Sequence, residues 1–472
     1  MVSPHPEQNR AATPPTLAHG EEKPNRRIWY AGTLAYSASG LTSLCFWLFL
    51  CDFAWSTRDR SISPMAQWFL TERGVPNALF AILLSSIPAL LHLVLGPYVS
   101  IRSDRHRGRL GRRIPFLLLS APPAVCGIIG LGLLPIILRW AGSRYPELDE
   151  RLLSMGGFIL FWMLFEIPTV ISQSVFGGLV NDVVPRAMIG RFYGCFRAIS
   201  LLDGIIFNYW IIGYIPTHFT IIITSVGLFY GIAITLTCLK VKEGEYPPPA
   251  SESPDGDAAP GGIGATFRIY FRECFGNSFY VSVFLLMMAS SLTFSPLNLF
   301  SIPYGKSLGV SMDAYGKSLA LTYGISFAIS FFLGWLADHI HPLRVIFLCL
   351  CGYALVALAG SQLSRDGDSF LVFWVLHGVF SGAYFTSVAS LGARLFPRDK
   401  FAQFNSAAST FVSLGGIIMA PLMGGAIDWS GNRYHYSFYI GFVASLIALL
   451  LCASVYGQLM RLGDSSREGS GR

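Results

Sequence analysis

The amino-acid sequence predicts an all-α membrane protein of twelve transmembrane helices in two six-helix bundles, with both termini cytoplasmic. Three observations carry this expectation. The chain is 53% hydrophobic and only 13% charged, with mean hydropathy +0.52, where a soluble protein has about 25% charged residues. Apolar stretches of about 20 residues, enough to cross ~30 Å of hydrocarbon, recur along its length. A cationic loop between two such stretches has a weaker copy half a chain later, which points to two related halves.

Taken in order, residues 1–27 are polar and Pro-rich and read as a disordered cytoplasmic tail with no cleavable signal. Spans are expected near 29–52, 76–101, 114–138, 155–180, 193–214 and 219–240, giving an N-terminal bundle over 28–241. Residues 242–276 are predicted to be a cytoplasmic linker, because the run from Glu243 to Asp257 is too polar and Pro-rich to pack. Further spans near 277–300, 317–338, 343–363, 370–392, 402–427 and 436–459 form a C-terminal bundle over 277–460, leaving 461–472 as a second cytoplasmic tail.

Charge placement orients the chain. Lys23, Arg26, Arg27, Arg102–Arg113, Arg186, Arg191, Lys240, Lys242, Arg268, Arg272, Arg344, Arg394, Arg398, Lys400, Arg461 and Arg467 fall in alternate loops. Arg58-Asp59-Arg60 and the stretch from Glu147 to Arg151 read as loops of the opposite side, where cations mix with acids. This is the positive-inside pattern. The net charge of +7 therefore reports topology and not a nucleic-acid partner. The nine cysteines are odd in number and lie mostly in apolar runs, as packing residues without a disulfide framework. No metal ligand set and no cofactor motif is read. The expected location is the cell membrane, multi-pass, and the cytoplasmic membrane if the source is bacterial.

The loop within Gly96–Phe116 holds six arginines and Asp104. It cannot lie in hydrocarbon, where each charge costs roughly 2.5–3.5 kcal/mol. Its weaker copy runs from Gly334 to Arg344 and includes Asp338. Twelve spans, a central linker and these paired loops resemble the major facilitator superfamily. The spacing Pro97-x-Val99-x-x-x-Ser103-Asp104-Arg105-x-x-x-Arg109-x-Gly111-Arg112-Arg113-x-Pro115-Phe116 is similar to the sucrose–proton symporters and to the glycoside–pentoside–hexuronide symporters. The segment from Gln173 to Asp182 and the element Glu166-Ile167-Pro168 fit the same groups, the latter with Glu for the usual Asp. The resemblance implies a gate at the cytoplasmic helix ends formed by Asp104, Arg105, Arg109 and Arg113, with Asp338 and Arg344 as its reduced counterpart. The bland alternative is that the arginines only set topology. The sodium-coupled members carry two aspartates where this chain has His92 and Gly96. Imidazole and glycine do not replace hard-cation ligands, so a proton is the expected coupling ion.

Several polar residues fall inside spans. Trp162, Glu166, Thr169 and Gln173 share a helix face. An acid there must meet water or a partner rather than lipid, so the face reads either as part of a solute path or as a helix-pinning contact. Arg197, Asp203 and Asn208 follow in the next span. From ~1.5 Å rise per residue, Glu166 and Asp203 both reach the midplane, with Arg197 roughly 9 Å lower. Glu166, Asp203 and Arg197 are the candidate proton-coupling set, the alternative being a static ion pair. Trp374, His377 and Tyr384 share a face of the tenth span, and Tyr36 and Trp47 one of the first, as candidate substrate contacts or as packing. The functional expectation is a secondary transporter, not an enzyme, that moves a sugar or glycoside with a proton as a monomer. A carrier or exporter of another small organic solute is the alternative, and a membrane-embedded receptor or enzyme the more distant one.

Overall fold

The computed structural model describes residues 28–246, 272–397 and 400–469, with the side chains of residues 330, 331, 333–335, 337, 338, 389, 393, 401, 402 and 462–469 outside the described set. The first element is not a span. Trp29–Ala31 (β1) and Leu34–Tyr36 (β2) pair as an antiparallel hairpin, turning at Gly32, whose φ of +59° suits a residue without Cβ.

Helix α1 then runs Ala38–Glu72, with Ser37 Oγ accepting from the Gly40 N–H as its cap. At 35 residues it passes through Arg58-Asp59-Arg60 without a break. The expected loop there is therefore corrected to the middle of a helix. The reason is that other helices supply partners for these charges, so the backbone need not leave the membrane to solvate them.

The remaining helices of the first half are α2 (Asn77–Arg105), α3 (Ile114–Arg144), α4 (Glu150–Val183), α5 (Ile189–Ile206) and α6 (Ile215–Lys240). Two of them are interrupted by π turns. Ile82–Ser86 in α2 is one, just before Pro88, which has no N–H to return to the preceding turn. Phe207–Ile211 after α5 is the other, followed by a 3₁₀ turn at Ile212–Tyr214 and a non-helical residue at His218. The second half comprises α7 (Ser278–Ser307), α8 (Met312–Ile340), α9 (Pro342–Leu363), α10 (Gly367–Leu395), α11 (Phe401–Trp429) and α12 (Tyr436–Gly469). Helix α12 continues into the stretch expected to be a tail.

Among the described residues ten stretches are long and apolar enough to cross a membrane. One, Arg186–Lys240, contains both α5 and α6, and α8 is not among the ten. The protein is thus a mostly helical, multi-pass membrane protein. Ring contacts give the directions of the helices. Phe49 stacks on Phe192 at 4.7 Å, so α1 and α5 run parallel from the same end. Trp68 meets Phe219 and Phe53 meets Phe229, so α6 runs back against α1. Below, the end holding Arg102–Arg113 is the loop end, and the end where α1 stops is the far end.

Candidate functional site

Midway along α1, Arg58 is buried to 1% exposure. Its guanidinium lies 4.2 Å from the Trp55 ring centroid and 5.0 Å from that of Tyr230. Nη1 donates to Thr169 Oγ1 on α4 and to Tyr230 OH on α6, each at 3.3 Å, and Nη2 pairs with Asp59. Asp59 itself is 55% exposed. A carboxylate halfway along a span is costly in lipid, which makes this side of α1 a candidate solvent-facing surface. Glu166, halfway along α4, is buried and has Arg58 and Asp59 as its charged neighbours. His92 of α2 stands in the field of the same pair.

Two residues farther, Arg60 donates to Ser200 Oγ on α5 at 3.2 Å and to the Tyr323 hydroxyl of α8, with its guanidinium 4.4 Å from the Tyr323 ring centroid. Asp203 accepts from Thr57 Oγ1 at 2.8 Å and has Arg60 as its nearby cation. The second carboxylate oxygen of Asp203 is buried without a donor, as are Asp52 Oδ2 and Asn208 Oδ1. Buried acceptors of this kind ordinarily have partners.

The expected site residues distribute as follows. Glu166 and Asp203 both join the charged centre, each beside a different arginine of α1. Arg197 is exposed and pairs with neither. Gln173 is exposed, and Asn208 sits in the π turn, donating to Gly204 O at 2.6 Å. Trp162 is buried, with Nε1 donating to Leu83 O at 3.0 Å and its ring stacked on Phe158. His377 is fully buried between Tyr353 OH and Asn298 Oδ1, both at 3.0 Å. Trp374 stacks on Tyr315 at 5.5 Å with a buried, unpartnered Nε1, and Tyr384 packs against Phe294. Tyr36 belongs to the hairpin, and the Trp47 carbonyl accepts from Thr237 at 3.0 Å. Arg58, Asp59 and Arg60 were missed as site residues because the triplet was read as a loop. The apolar run on both sides of it, from Phe53-Ala54-Trp55 to Met65-Ala66, was the available signal.

At the loop end, Asp182 of α4 receives a fork from Arg112 at 2.9 and 2.5 Å. Arg113 reaches Asp182 at 3.3 Å and Ser103 at 2.7 Å, and also pairs with Asp104. Glu243, just past α6, accepts the N–H groups of Arg112, Arg113 and Ile114 at 2.9, 2.8 and 2.7 Å and so caps α3. Gly111 permits this approach, having φ +96° and room for Glu243 where a Cβ would sit. Burial, with Asp182 and Glu243 alongside, pushes the Tyr246 phenol well above its usual value. Arg105 and Arg109 pair with no carboxylate among the described residues. In the second half Arg344 donates to Tyr456 OH at 2.6 Å, and the Asp338 side chain lies outside the described residues. The network thus joins α2, α3, α4 and the segment after α6, all in the first half.

The halves meet elsewhere. Among the described residues, the hydrogen bonds, ion pairs and ring contacts that join them run from the Arg60–Tyr323 level to the far end. They include Gln67 to Asn298 O at 3.5 Å, Ser86 to Ile417 O at 2.9 Å, Glu72–Lys306 at 2.7 Å, and Phe80 on Phe300. Of the charged cluster, Arg60 is the member that takes part in this junction. Residues 279–461 match the family model of the Major Facilitator Superfamily. The fold is also that of solved transporters. The crystal structure of a D-xylose–proton symporter superposes with TM-score 0.63 at 14% identity, over 87% of this chain and 97% of that one. A bacterial homologue of the human lysosomal transporter Spinster, inward-facing and unoccupied, gives 0.61 at 15% identity, over 88% and 95%. A probable hexose phosphate transport protein of Chlamydia trachomatis serovar D is 26% identical over 170 residues, 35% of each chain. The chain thus spans about a third of the length of the curated relatives it matches.

Proposed function

We propose that the protein is a secondary active transporter that moves a sugar or glycoside together with a proton by alternating access. The observation that carries this reading is the cluster itself: Arg58, Asp59, Glu166, Arg60 and Asp203 lie halfway along helices of the first half, and Arg60 reaches Tyr323 of the second. Taking Arg186–Lys240 as two crossings and adding α8 brings the number of spans to twelve. The cationic loop end is then cytoplasmic, and the conformation is open to the cytoplasm. In this reading Glu166 and Asp203 carry the proton and Arg58 and Arg60 are their countercharges. The solute contacts come from Glu166, Asp59, Asn208 and the Trp374 face. Asp104 and Arg113 stabilise the loop end, and the protein works as a monomer in the cell membrane without a cofactor.

A second reading, favoured by the chlamydial relatives and the two central arginines, is a phosphorylated sugar as solute. The acids around those arginines argue against it, since they already neutralise the positive field. Reconstituted protein tests both readings. A panel of mono- and disaccharides and sugar phosphates is offered under an imposed pH gradient. Accumulation of a neutral sugar with proton uptake, not stimulated by sodium, is expected. In Glu166→Gln, gradient-driven accumulation should vanish while solute exchange partly remains. Unchanged accumulation would remove Glu166 from coupling, and sodium dependence would overturn the proton assignment.

A further inference from the structure

Helix α2 starts at Asn77 directly after Pro76, which offers no side-chain acceptor for the first N–H groups of the helix. The acceptor comes from the other half of the molecule. Asp428 Oδ1 accepts from the Asn77 N–H and from Asn77 Nδ2, each at 2.8 Å, and Oδ2 accepts from the Ala78 N–H at 2.9 Å. Asn77 Nδ2 also donates to Asn432 Oδ1 at 2.7 Å, and Tyr434 OH donates to Asn77 Oδ1 at 3.1 Å. One turn before Asp428, Gly424 lies against the same backbone. A Cβ there would come within 2.6 Å of the Asn77 carbonyl carbon and 2.8 Å of Ala78 Cα.

Asp428 belongs to the last turn of α11. A carboxylate is unfavourable at that end of its own helix, where the unpaired carbonyls are negative, and favourable at the positive start of another. Its position makes sense only through the contact with α2. The ion pair between the halves at this end, Glu72–Lys306, joins side chains 40% and 47% exposed and contributes little.

We propose that Asp428 is a gating residue: its carboxylate caps the start of α2 across the junction of the halves and, with Gly424 allowing close approach, holds the far mouth of the transport path shut. The proposal rests on the transport reading for its purpose, but not for its test. Opening the far mouth separates Asp428 from Asn77 and leaves both to water, so the latch sets how often the far-open state is visited.

Spin labels at Glu147→Cys and Arg433→Cys, both exposed at the far end, report the separation of the halves in a Cys126→Ser/Cys195→Ser background. The wild-type latch should give one short-distance population. Asp428→Ala should raise a longer-distance population about tenfold, as expected for losing one helix cap. Asp428→Asn, which keeps an acceptor, should recover part of the closed population, and Gly424→Ala should open the mouth by overlap alone. A distance distribution in Asp428→Ala identical to that of the parent overturns the proposal. A shifted distribution in a protein that accumulates no offered solute leaves the latch standing and counts against the transport reading instead.

Discussion

On the guanidinium of Arg58 three aromatic faces, two hydroxyls and one carboxylate converge, and each comes with its own requirement for position. Lysine would supply the charge but not the planar fork that stacks and donates in two directions. Arg58→Ala is expected to destabilise the protein by about 3 kcal/mol, the low end for removing one partner of a buried ion pair, because Asp59 keeps its solvent. Thermal unfolding in detergent reads this directly, and a shift indistinguishable from the parent would mean that the ring of partners is not needed for folding. The central acids were legible in the sequence because single acids interrupt long apolar runs at Glu166 and Asp203. Their countercharges were not, because three consecutive charged residues look like a membrane boundary unless the partners of other helices are known. The same blindness made Arg197 the expected partner, and made His377 and Trp162 look available to a solute when packing already satisfies them.

At the level of elements, close packing of α3 on α4 positions Glu166. A Cβ at Gly127 would approach Phe165 N at 2.5 Å and Leu164 C at 2.8 Å, and both are backbone atoms that cannot swing aside. Gly127→Ala should therefore cost about 1–3 kcal/mol, the range for overpacking, and should impair transport, since it pushes on the turn that carries Glu166. Normal stability with normal transport would show that the two helices can separate freely. The loop-end network makes a different prediction. Asp104→Asn weakens the pairing of Asp104 with Arg113 but leaves Asp182 and Glu243 in place, so turnover should fall with little change in solute affinity. A large loss of affinity would assign Asp104 to the solute site. Most helices were visible as apolar runs of spanning length. Their ends were not, because α1 and α4 extend well beyond the hydrocarbon thickness and stay helical on tertiary contacts. The cap of α3 by Glu243 is a pairing across 129 residues that no local pattern reveals.

Across the whole molecule, each half contributes six helices, while the charges are distributed unequally. The first half supplies the arginines and acids of the centre, and the second supplies Tyr323. Alternating access needs a two-state junction that each ligand biases differently, and the proposed mechanism assigns that role to the junction that Arg60 and Tyr323 share. Its central requirement is that water reaches the charges from the loop side. The direct test places a cysteine at Asp59 in the Cys126→Ser/Cys195→Ser background and applies a membrane-impermeant thiol reagent to vesicles of each orientation. The account predicts rapid labelling from the loop side and slow labelling from the far side. A position 59 sealed from both sides would contradict it.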